Sequence, residues 1–561
     1  MTIDFFALIP FAIGVLFKLF GYTDERAKYI YDQYLFPLAW GGLPFYFAWV
    51  SGFSVTDSAI TGIGLGFMLG ASGRIINVKS ENKIERGTQV ISTSDLNRRV
   101  RESKVEAHAR IGGAAIPEHV MPQGLLLSGS PGTGKSLSFL QLMSSARERG
   151  HKAVVCDLGG EFAQRLFRPG KDVILNPFDT RQPEGGWSPF AEIRSSFHCA
   201  RAAGALVQVG DGEESETWNG SARTLLQVGL EGLFERGPEH CTNGMLLYMC
   251  LAAPQEELKD LAAGSPAAPW FEAGAERFLS SVKATLVRQL QPLMYLDPSA
   301  GAGAFSIRKW MDQPDDSWLF LTYRDDQLAS LKPLLAAMLD TACGAILSRS
   351  SAAPAPTWVF VDEFASLGRV NSLVDLAAKG RKYGARLALG LQSISQARQN
   401  LGKDAAQSLL ACLGTWLTLR PADAETADYM SRFLGDEEAR RKVASGGEGA
   451  TQTGTLTRQQ NAHQNWTEQV TRQRAILPSE LQSLADRQGI LNIAGPLPPA
   501  LVEIPICKLR HTQPAFVAAR ARPSRIERPA ILDSVTPSKP GTETQLIPPR
   551  PAPDPFANLG G

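Results

Sequence analysis

The sequence predicts an α/β protein in which a sheet is interrupted by an all-helical domain and preceded by transmembrane helices. Three observations predict it. Short apolar runs of β character lie on both sides of a helix-rich stretch, a glycine-rich turn joins one such run to a helix, and uncharged apolar segments dominate the first 73 residues. With 561 residues, 44% of them hydrophobic and 20% charged, the chain is neither a small disulfide-stabilised domain nor wholly disordered.

Charge and cysteine content exclude further classes. The 57 Lys and Arg residues balance the 56 Asp and Glu residues, so overall charge indicates neither a nucleic-acid partner nor a membrane-surface partner. The seven cysteines are scattered and form no C-x-x-C pair, which argues against a zinc ribbon or a dithiol redox site. The bulk of the chain is therefore expected in a reducing cytoplasm.

The N-terminal region, residues 1–75, is predicted to cross a membrane two or three times. Apolar stretches cover 5–20, 34–55 and 58–73, against a requirement of roughly 20 residues for a helical span. A cleavable signal peptide fits poorly, because Met1 to Asp4 carries no positive charge. The basic residues that follow the last stretch predict that the next domain faces the cytoplasm. They are Arg74, Lys79, Lys83 and Arg86.

A glycine-rich turn matches the P-loop pattern in full. The apolar run 124–128 leads directly into it, and helix-forming residues follow from 137 to 149. Glycines let the backbone fold around an anion, and the helix that begins there presents the positive end of its dipole. The pattern therefore predicts a binding site for nucleotide phosphates. Its residues are Gly129, Ser130, Pro131, Gly132, Thr133, Gly134, Lys135 and Ser136.

Two acids after a later β run complete the expected ATP and Mg²⁺ site. The run 357–361 ends in Asp362 and Glu363, as a Walker B strand does. Lys135 is expected to reach the β and γ phosphates, and Ser136 and Asp362 to hold Mg²⁺. Glu363 is expected to polarise the attacking water.

Two further candidates for catalysis lie around the next β run, 386–392. Gln392 stands at its tip, where it could sense the γ phosphate, although strands often end in a polar residue for no catalytic reason. Arg381 precedes the run, at its other end, and is placed to serve a neighbouring subunit as an arginine finger. An exposed basic turn is the alternative interpretation of Arg381.

Asp362 follows Lys135 by many more positions than a few βα units require, which indicates an insertion. Runs at 153–157 and 172–175 are predicted strands, 190–296 has helical spacing, and 318–322 returns to the sheet. The last 42 residues contain nine prolines and predict disorder. The expected segments are 1–75 (membrane), 76–189 and 298–518 (two parts of the nucleotide-binding domain), 190–297 (all-α domain) and 519–561 (disordered basic tail).

Two basic segments are candidates for contact with nucleic acid. One contains Arg98, Arg99, Arg101, Lys104 and Arg110, and the alternative is a solvated helix face. The other lies before and inside the tail, where the alternative is a solvated linker. Its residues are Lys508, Arg510, Arg520, Arg522, Arg525 and Arg528.

Beyond the P-loop, a series of motifs resembles one family, the coupling proteins of type IV secretion and bacterial conjugation (TraD/TrwB-like). The resemblance runs from about residue 86 to 517. Its carriers, in order along the chain, are IGGAAIP at 111–117, DLGGE at 157–161, NPFD at 176–179, WSPF at 187–190, VDEFASLG at 361–368, GRKYG at 380–384, GLQSISQ at 390–396 and ILPSEL at 476–481.

The resemblance implies a homohexameric, RecA-like ATPase in the bacterial inner membrane, multi-pass, with its ATPase domain in the cytoplasm. It implies that the chain recruits a relaxase bound to single-stranded DNA, or relaxosome, and drives the DNA into the proteins of the secretion channel. By position, Lys135, Ser136, Asp362, Glu363, Gln392 and Arg381 resemble the family's ATP-handling residues. The family usually has two transmembrane helices, whereas this sequence shows three apolar stretches.

Three other classes of protein share the predicted transmembrane helices and the P-loop. A membrane-bound metalloprotease is excluded, because no H-E-x-x-H occurs among the seven histidines. A chromosome-segregation translocase fits the motifs after Asp362 less closely. A nucleotide-switched receptor for protein effectors, which docks substrates without pumping DNA, needs the same ATP site, so the sequence does not separate it from a motor.

Overall fold

The computed structural model describes residues 83–208, 212–350, 355–368, 370–452, 458–506, 509–519 and 523–533, with side chains except at 83–85, 439–469 and 533. The predicted membrane region 1–75 lies outside the described residues, as does the tail from 534 onward. The number of membrane spans, two or three, therefore stays a prediction.

The strands follow one another through both parts of the predicted nucleotide-binding domain. They are β1 (Lys83–Gly87), β2 (Ile91–Ser92), β3 (Ala109–Ile111), β4 (Ala114–Ile116), β5 (Leu125–Ser128), β6 (Lys152–Leu158), β7 (Val173–Leu175), β8 (Trp318–Tyr323), β9 (Thr357–Val361), β10 (Ala385–Leu391), β11 (Thr415–Leu419), β12 (Asp436–Gln452), β13 (Arg458–Arg474), β14 (Gln488–Asn492) and β15 (Ala500–Glu503).

The α-helices connect these strands and fill the interval between β7 and β8. They are α1 (Thr93–Glu102), α2 (Lys135–Glu148), α3 (Glu161–Leu166), α4 (Ser196–Leu206), α5 (Glu213–Arg236), α6 (Asn243–Leu247), α7 (Gln255–Ala262), α8 (Glu276–Leu290), α9 (Ile307–Asp312), α10 (Asp325–Leu347), α11 (Asn371–Lys379), α12 (Ile394–Leu401), α13 (Lys403–Ala411), α14 (Ala424–Leu434) and α15 (Pro478–Gln482).

Ten strands form the central sheet, in the order β2-β15-β14-β11-β5-β10-β9-β6-β8-β7. From β11 to β7 every neighbouring pair is parallel, whereas β14 pairs antiparallel with both β11 and β15. Each strand predicted from the sequence is confirmed in this parallel part. Because parallel strands end at the same edge, the turns after β5, β6, β9 and β10 meet there.

Both faces of the sheet are covered, which is why its strands read as continuous apolar runs. In β5, Leu125 and Leu127 belong to one hydrophobic core together with Phe139 of α2. Leu126, between them, belongs to the other core, which extends into α10 and the helical domain. Because successive side chains of a strand point to opposite faces of the sheet, β5 contributes to the hydrophobic cores on both faces.

The predicted all-α domain is confirmed between β7 and β8. Helices α4 to α8 occupy this interval, and α5 packs against α4, α7 and α8. Within the part of the chain that the structure describes, one helix, α10, is long and apolar enough to span a membrane. Its most apolar window is 72% buried, and the helix packs against α4, α9 and α11 as a core element of the fold.

The chain after the sheet is ordered where the sequence predicts the start of a disordered tail. Ser524 donates its N–H to the Met294 carbonyl at 2.7 Å, and Arg528 forms an ion pair with Glu257. Ile526 packs against the core of the helical domain, as do Ile531 and Leu532. The disorder of 519–561 stays a prediction, and the structure places apolar side chains of 523–533 against the helical domain.

Strands β12 and β13 form a separate three-stranded sheet with β1, in the order β1-β12-β13. The described residues of 439–471 belong to one compact unit with residues 83–85, distinct from the unit that holds the central sheet and the helical domain. The sequence prediction placed this stretch within segment 298–518 of the nucleotide-binding domain and did not identify it as a separate unit.

Gly390 allows β9 and β10 to converge at the edge where the strand ends meet. A Cβ at this position would overlap the carbonyl oxygen of Asp362 and lie 3.1 Å from the Phe139 ring. We expect Gly390→Ala to lower the free energy of unfolding by about 1–3 kcal/mol, because overpacking forces backbone shifts. Urea denaturation would measure it.

Gly220, in α5, is the matched control, because a Cβ there meets nothing within 4 Å. We expect Gly220→Ala to leave stability unchanged or raise it by about 0.5–1 kcal/mol, since alanine favours a helix interior. Equal effects of the two substitutions would contradict the predicted overlap.

Candidate nucleotide-binding site

The predicted phosphate-binding turn is held at its base by the strands on both sides of β5. Gly129 donates its N–H to the Leu391 carbonyl of β10 at 3.1 Å, and Ser130 donates its N–H to the Arg420 carbonyl after β11 at 2.9 Å. The Thr133 hydroxyl donates to the Ser130 carbonyl at 2.7 Å. The sheet and the turn's own hydrogen bonds therefore fix the shape of the turn.

The glycines of the turn meet two different requirements. Gly132 and Gly134 have φ angles of +80° and +110°, which side chains with a Cβ rarely adopt. At Gly129 a Cβ would lie 2.7 Å from the Leu419 Cβ, whereas at Gly132 it would meet nothing within 4 Å. The turn is thus packed tightly at its base and open at its tip, where an anion could approach the backbone.

Lys135 and Glu363 form a buried ion pair at the start of α2. The Lys135 Nζ donates to Glu363 Oε2 at 3.1 Å, and the two residues are only 9% and 3% exposed. The structure thus brings together the predicted P-loop lysine and the predicted catalytic acid. Because the pair is buried, its attraction is much less screened than that of a surface pair.

Both predicted acids have carboxylate oxygens without partners. Asp362 Oδ1 and Glu363 Oε1 are buried and accept no hydrogen bond within the described residues. Burial raises the pKa of each carboxyl group, and the Lys135 charge opposes this rise. Unpaired buried oxygens are rare and costly, so these two indicate a place where a cation or a donor group binds.

Asp157, at the end of β6, adds a third buried acid at this edge and was not among the predicted site residues. It accepts the N–H groups of Phe162 and Ala163 at 3.2 and 2.7 Å. Burial raises its pKa to about 7, while these two hydrogen bonds lower it and the charge of Asp362 raises it. The motif DLGGE at 157–161 was the signal that could have identified it.

The geometry fits a nucleotide with Mg²⁺. The open turn, the buried Lys135 and the free oxygens of Asp362 and Glu363 lie at one edge of the sheet. Among the described residues, no group of three or more His, Cys, Asp or Glu side chains could hold a metal alone. Proteins commonly bind Mg²⁺ through one or two side chains together with phosphate oxygens and water. Ser136, in the first turn of α2, is half-buried beside Lys135.

Gln392 lies at the tip of β10, as the sequence predicts. It follows β10, whose Leu391 pairs with Ser128 of β5 and whose Leu389 pairs with Val361 of β9. Its main-chain N–H helps to lower the pKa of Glu363. Gln392 therefore follows a strand that lies between β5, which leads into the phosphate-binding turn, and β9, which leads into Asp362 and Glu363, and its side chain is half-buried.

Arg381 is not part of this cluster within one chain. It lies in the 3-10 helix Gly380–Tyr383 at the opposite end of β10 and is exposed. The seven residues of β10 place it roughly 20 Å from Gln392 at about 3.3 Å per residue. The predicted position of Arg381 at the far end of the strand is confirmed. At this distance Arg381 could contact only a nucleotide that is bound by another subunit.

Arg487 also borders the turn, although nothing in the sequence pattern indicated it. Its N–H donates to the Thr133 carbonyl at 2.9 Å, and its Cα lies 3.4 Å from the Cβ position of Gly134. Its φ of +66° is unfavourable for arginine. Such backbone strain is typical of functional sites, where the surrounding fold maintains it.

The first basic segment forms an exposed surface on α1 and the loop after it. Leu96 and Val100 are buried, whereas Arg99, Arg101 and Lys104 are exposed. Arg98 pairs with Asp95 at 2.8 Å, so its charge is partly neutralised. Of the second basic segment, Arg528 pairs with Glu257, while Lys508, Arg520 and Arg522 lie outside the described residues.

We expect Lys135→Met to destabilise the chain in a pH-dependent way. Removing one partner of a buried ion pair costs about 3–5 kcal/mol. The folded-state pKa of Glu363 is already raised above 4.5, and without Lys135 it rises further. An acid with a raised pKa costs stability above its ordinary pKa, so the loss should be larger at pH 8 than at pH 5 in urea denaturation.

Lys379→Met is the matched control, because Lys379 forms an exposed pair with Asp375 at 2.8 Å. We expect a much smaller loss of stability with little pH dependence, because exposed ion pairs contribute little. A Lys135→Met loss no larger than that of the control, or a loss that grows toward low pH, would contradict the buried ion pair.

Known proteins share this fold and family. Residues 108–505 match the family model of the type IV secretion-system coupling protein DNA-binding domain. The coupling protein TraD of Escherichia coli K12 is 27% identical over 477 residues, which cover 84% of this chain and 64% of TraD. The chain thus spans about two thirds of the length of that curated relative.

Solved structures of the conjugative coupling protein TrwB are similar over nearly their whole length. The unbound form of TrwBΔN70 is 31% identical, with a TM-score of 0.68 over 78% of this chain and 96% of that one. TrwB in complex with ADP and Mg²⁺ gives the same identity and TM-score over 98% of its chain. The predicted RecA-like nucleotide-binding fold with an inserted helical domain is confirmed, and the chain belongs to the coupling proteins of type IV secretion systems.

Proposed function

We propose that the chain is the ATPase coupling protein of a conjugative type IV secretion system. The observation that carries this proposal is the buried cluster at the P-loop. There, Lys135 pairs with Glu363, and oxygens of Asp362 and Glu363 lack partners within the described residues. A buried lysine with one buried and one half-buried acid at the edge of a parallel sheet suits ATP hydrolysis.

The cofactors of the proposed reaction are ATP and Mg²⁺. TrwB has been solved with ADP and Mg²⁺ and with the ATP analogue ADPNP, which supports this choice. When bound, MgATP supplies the phosphoryl group that is transferred to water. The backbone N–H groups of 129–136 bind its phosphates, and Lys135 neutralises their charge.

The remaining residues hold the metal and handle the attacking water. Ser136 and Asp362 bind Mg²⁺ through oxygen, which this cation prefers. Glu363 orients the water and accepts its proton through the free Oε1, and Gln392 senses the γ phosphate from the tip of β10. The raised pKa of Glu363 makes it a better proton acceptor than an exposed carboxylate.

We further propose that residues 1–75 anchor the chain in the bacterial inner membrane with the ATPase domain in the cytoplasm. The three apolar stretches and the basic residues after them support this topology. The domain assignment is 76–189 and 298–518 for the nucleotide-binding domain, 190–297 for the helical domain and 519–561 for the C-terminal segment. We propose that six copies form a ring that delivers substrates to the channel proteins.

The proposed substrate is single-stranded DNA bound to its relaxase. The matching family model is described as a DNA-binding domain, which supports DNA as the partner. Arg99 and Arg101 on α1 and Lys104 in the loop after it are exposed, carry no ion pair in the described structure and are candidates to contact phosphates. Such contacts hold DNA without sequence preference and weaken as salt rises.

Arg381 is proposed to act on the nucleotide of a neighbouring subunit. It is exposed and lies far from its own Lys135, so it cannot serve its own site. In a ring, such a residue would make hydrolysis depend on the adjacent subunit, which is how sequential movement is coordinated.

ATP turnover by the full chain, with and without single-stranded DNA, tests the proposed function. We expect DNA to raise turnover at low salt and the stimulation to fade at moderate salt, because phosphate contacts release counterions. Glu363→Gln is the matched control and should bind ATP but turn it over at least about 100-fold more slowly, as expected when a general base is removed.

Two outcomes would contradict the proposal. Normal turnover by Glu363→Gln would exclude Glu363 as the water-activating acid. A rate of ATP turnover that DNA does not change at any salt concentration would favour a nucleotide-switched receptor for protein effectors over a DNA motor.

Mixing two inactive variants tests the proposed role of Arg381. Arginine fingers contribute about 10³–10⁵ in rate, so Arg381→Ala should lose most of its activity. When Arg381→Ala and Lys135→Ala chains are combined in one ring, ATP turnover should return. The Arg381→Ala chain supplies an intact P-loop, and the neighbouring Lys135→Ala chain supplies Arg381. Lys382→Ala, also exposed, should stay active alone. Failure of rescue in rings shown to be mixed would leave Arg381 a structural residue.

A further inference from the structure

Arg487 is a charged residue beside the phosphate-binding turn that the proposed reaction does not use. It directly precedes β14, at the edge of the central sheet where β5 and β11 end. Its backbone is fixed on two sides, because its N–H donates to the Thr133 carbonyl at 2.9 Å and its carbonyl accepts the Ile504 N–H at 2.7 Å. The fold therefore holds this residue against the turn.

The Arg487 side chain begins alongside the turn in a strained conformation. Its Cγ and Cβ lie 3.5 and 3.7 Å from the position that a Cβ would take at Gly134, the residue before Lys135. The φ of +66° at Arg487 is unfavourable for arginine, whereas glycine or asparagine would adopt it at lower cost. An arginine held in this conformation next to a ligand site indicates that its side chain has a role there.

The guanidinium group of Arg487 is unpaired. The residue is half-buried, yet its side chain makes no ion pair and no hydrogen bond within the part of the chain that the structure describes. Arg420, after β11 at the same edge, differs in this respect. Its Nη2 pairs with Asp486 at 2.5 Å, and its Nη1 donates to the Leu484 carbonyl at 3.1 Å. Arg420 thus stabilises the turn before β14, whereas the charge of Arg487 is free to bind a ligand.

The charges already present in the nucleotide site leave a use for a further cation. Lys135 is paired with Glu363, and Asp362 adds a second acid next to this pair. One lysine thus faces two acids. Because Mg²⁺ bridges the β and γ phosphates in such sites, the charge of the α phosphate is left to protein groups. A cation at that end of the phosphate chain would strengthen nucleotide binding.

The order of the strands places Arg487 at the α-phosphate end. β5, which leads into the turn, lies between β10 and β11 in the sheet. Glu363 and Gln392 follow β9 and β10, so the γ phosphate is expected on that side of the turn. Arg487 precedes β14, which lies beyond β11 on the opposite side. The α and γ phosphates are the two ends of one chain, so the α phosphate and the nucleoside extend toward Arg487.

We propose that Arg487 binds the α phosphate of the bound nucleotide and so fixes its nucleoside end. This inference rests on the proposed function of the nucleotide site and adds a binding residue to it. Because Arg487 does not touch the γ phosphate, its contact is the same before and during hydrolysis. It therefore increases the affinity for nucleotide without changing the rate of the chemical step.

Steady-state kinetics and calorimetric titration of the full chain with Mg²⁺ test this proposal through Arg487→Gly. We expect KM for ATP to rise at least about tenfold, because a hydrogen bond to a charged group stabilises a complex by that factor. kcat should stay within about twofold of the unmodified value, since the lost contact is equal in the ground state and the transition state. The Kd values for ADP and for a non-hydrolysable ATP analogue should rise by the same factor as each other.

Two further substitutions separate the charge of Arg487 from its backbone conformation. Asparagine tolerates the positive φ but carries no charge, so Arg487→Asn should lose as much affinity for ADP as Arg487→Gly. Arg487→Lys keeps the charge and should retain part of the affinity. Without nucleotide, Arg487→Gly should unfold at the same or a higher temperature, because glycine relieves the strain. A loss of affinity in this variant would then not arise from misfolding.

Arg432→Ala is the matched control. Arg432 is an exposed arginine of α14 that pairs with Asp428 at 2.6 Å. This variant should bind ADP and the ATP analogue like the unmodified chain, because the substitution removes an arginine charge that lies outside the nucleotide site.

Three results would overturn the proposal. Unchanged affinity of Arg487→Gly for both nucleotides, where the unmodified chain binds them, would exclude a contact with the α phosphate. A loss of affinity for the ATP analogue but not for ADP would assign Arg487 to the γ phosphate. A fall in kcat at unchanged KM would make Arg487 a structural residue of the turn. If the unmodified chain binds neither nucleotide, the proposed function fails together with this inference. If Arg487→Gly does not fold, Arg487→Asn decides through the same titration.

Discussion

The buried ion pair between Lys135 and Glu363 is the interaction on which the site depends. It joins the first residue of α2 to the turn after β9, two elements separated by the whole helical domain in sequence. A charge buried to this extent is tolerated only with its partner in place. Correct closure of the sheet, with β10 between β5 and β9, is therefore a condition for burying either residue, and the fold and the site form together.

Much of this arrangement could be predicted from the sequence. The strands β5 to β10 are apolar runs, and β5, β6 and β9 lead directly into Gly129, Gly159 and Asp362. The P-loop fixes which of the strands carries the phosphate-binding turn. Asp157 was missed although the motif DLGGE at 157–161 contains it, because the motif does not reveal that its hydrogen-bond partners are backbone N–H groups of α3. Arg487 was missed for a similar reason, since its contact with the turn arises from a strand pair late in the chain.

Two further differences have physical explanations. The long strands β12 and β13 lie in a polar stretch rich in Gly, Gln and charged residues, without the apolar alternation that predicts a half-buried strand. The segment 523–533 is rich in Pro and Arg, which predicts disorder, yet three isolated apolar side chains and one ion pair fix it to the helical domain. The average composition of such a segment does not show that a few of its side chains contact the rest of the fold.

The contact between this last segment and the helical domain affects the order in which the protein can be completed during synthesis. The ribosome finishes the helices of 190–297 long before it makes β11, β14 and β15, and the residues that contact Tyr248 and Met294 emerge after all of these strands. Until then the surface that receives Ile526 and Leu532 is exposed. A nascent chain would therefore display this apolar surface to chaperones throughout the synthesis of the second half of the sheet.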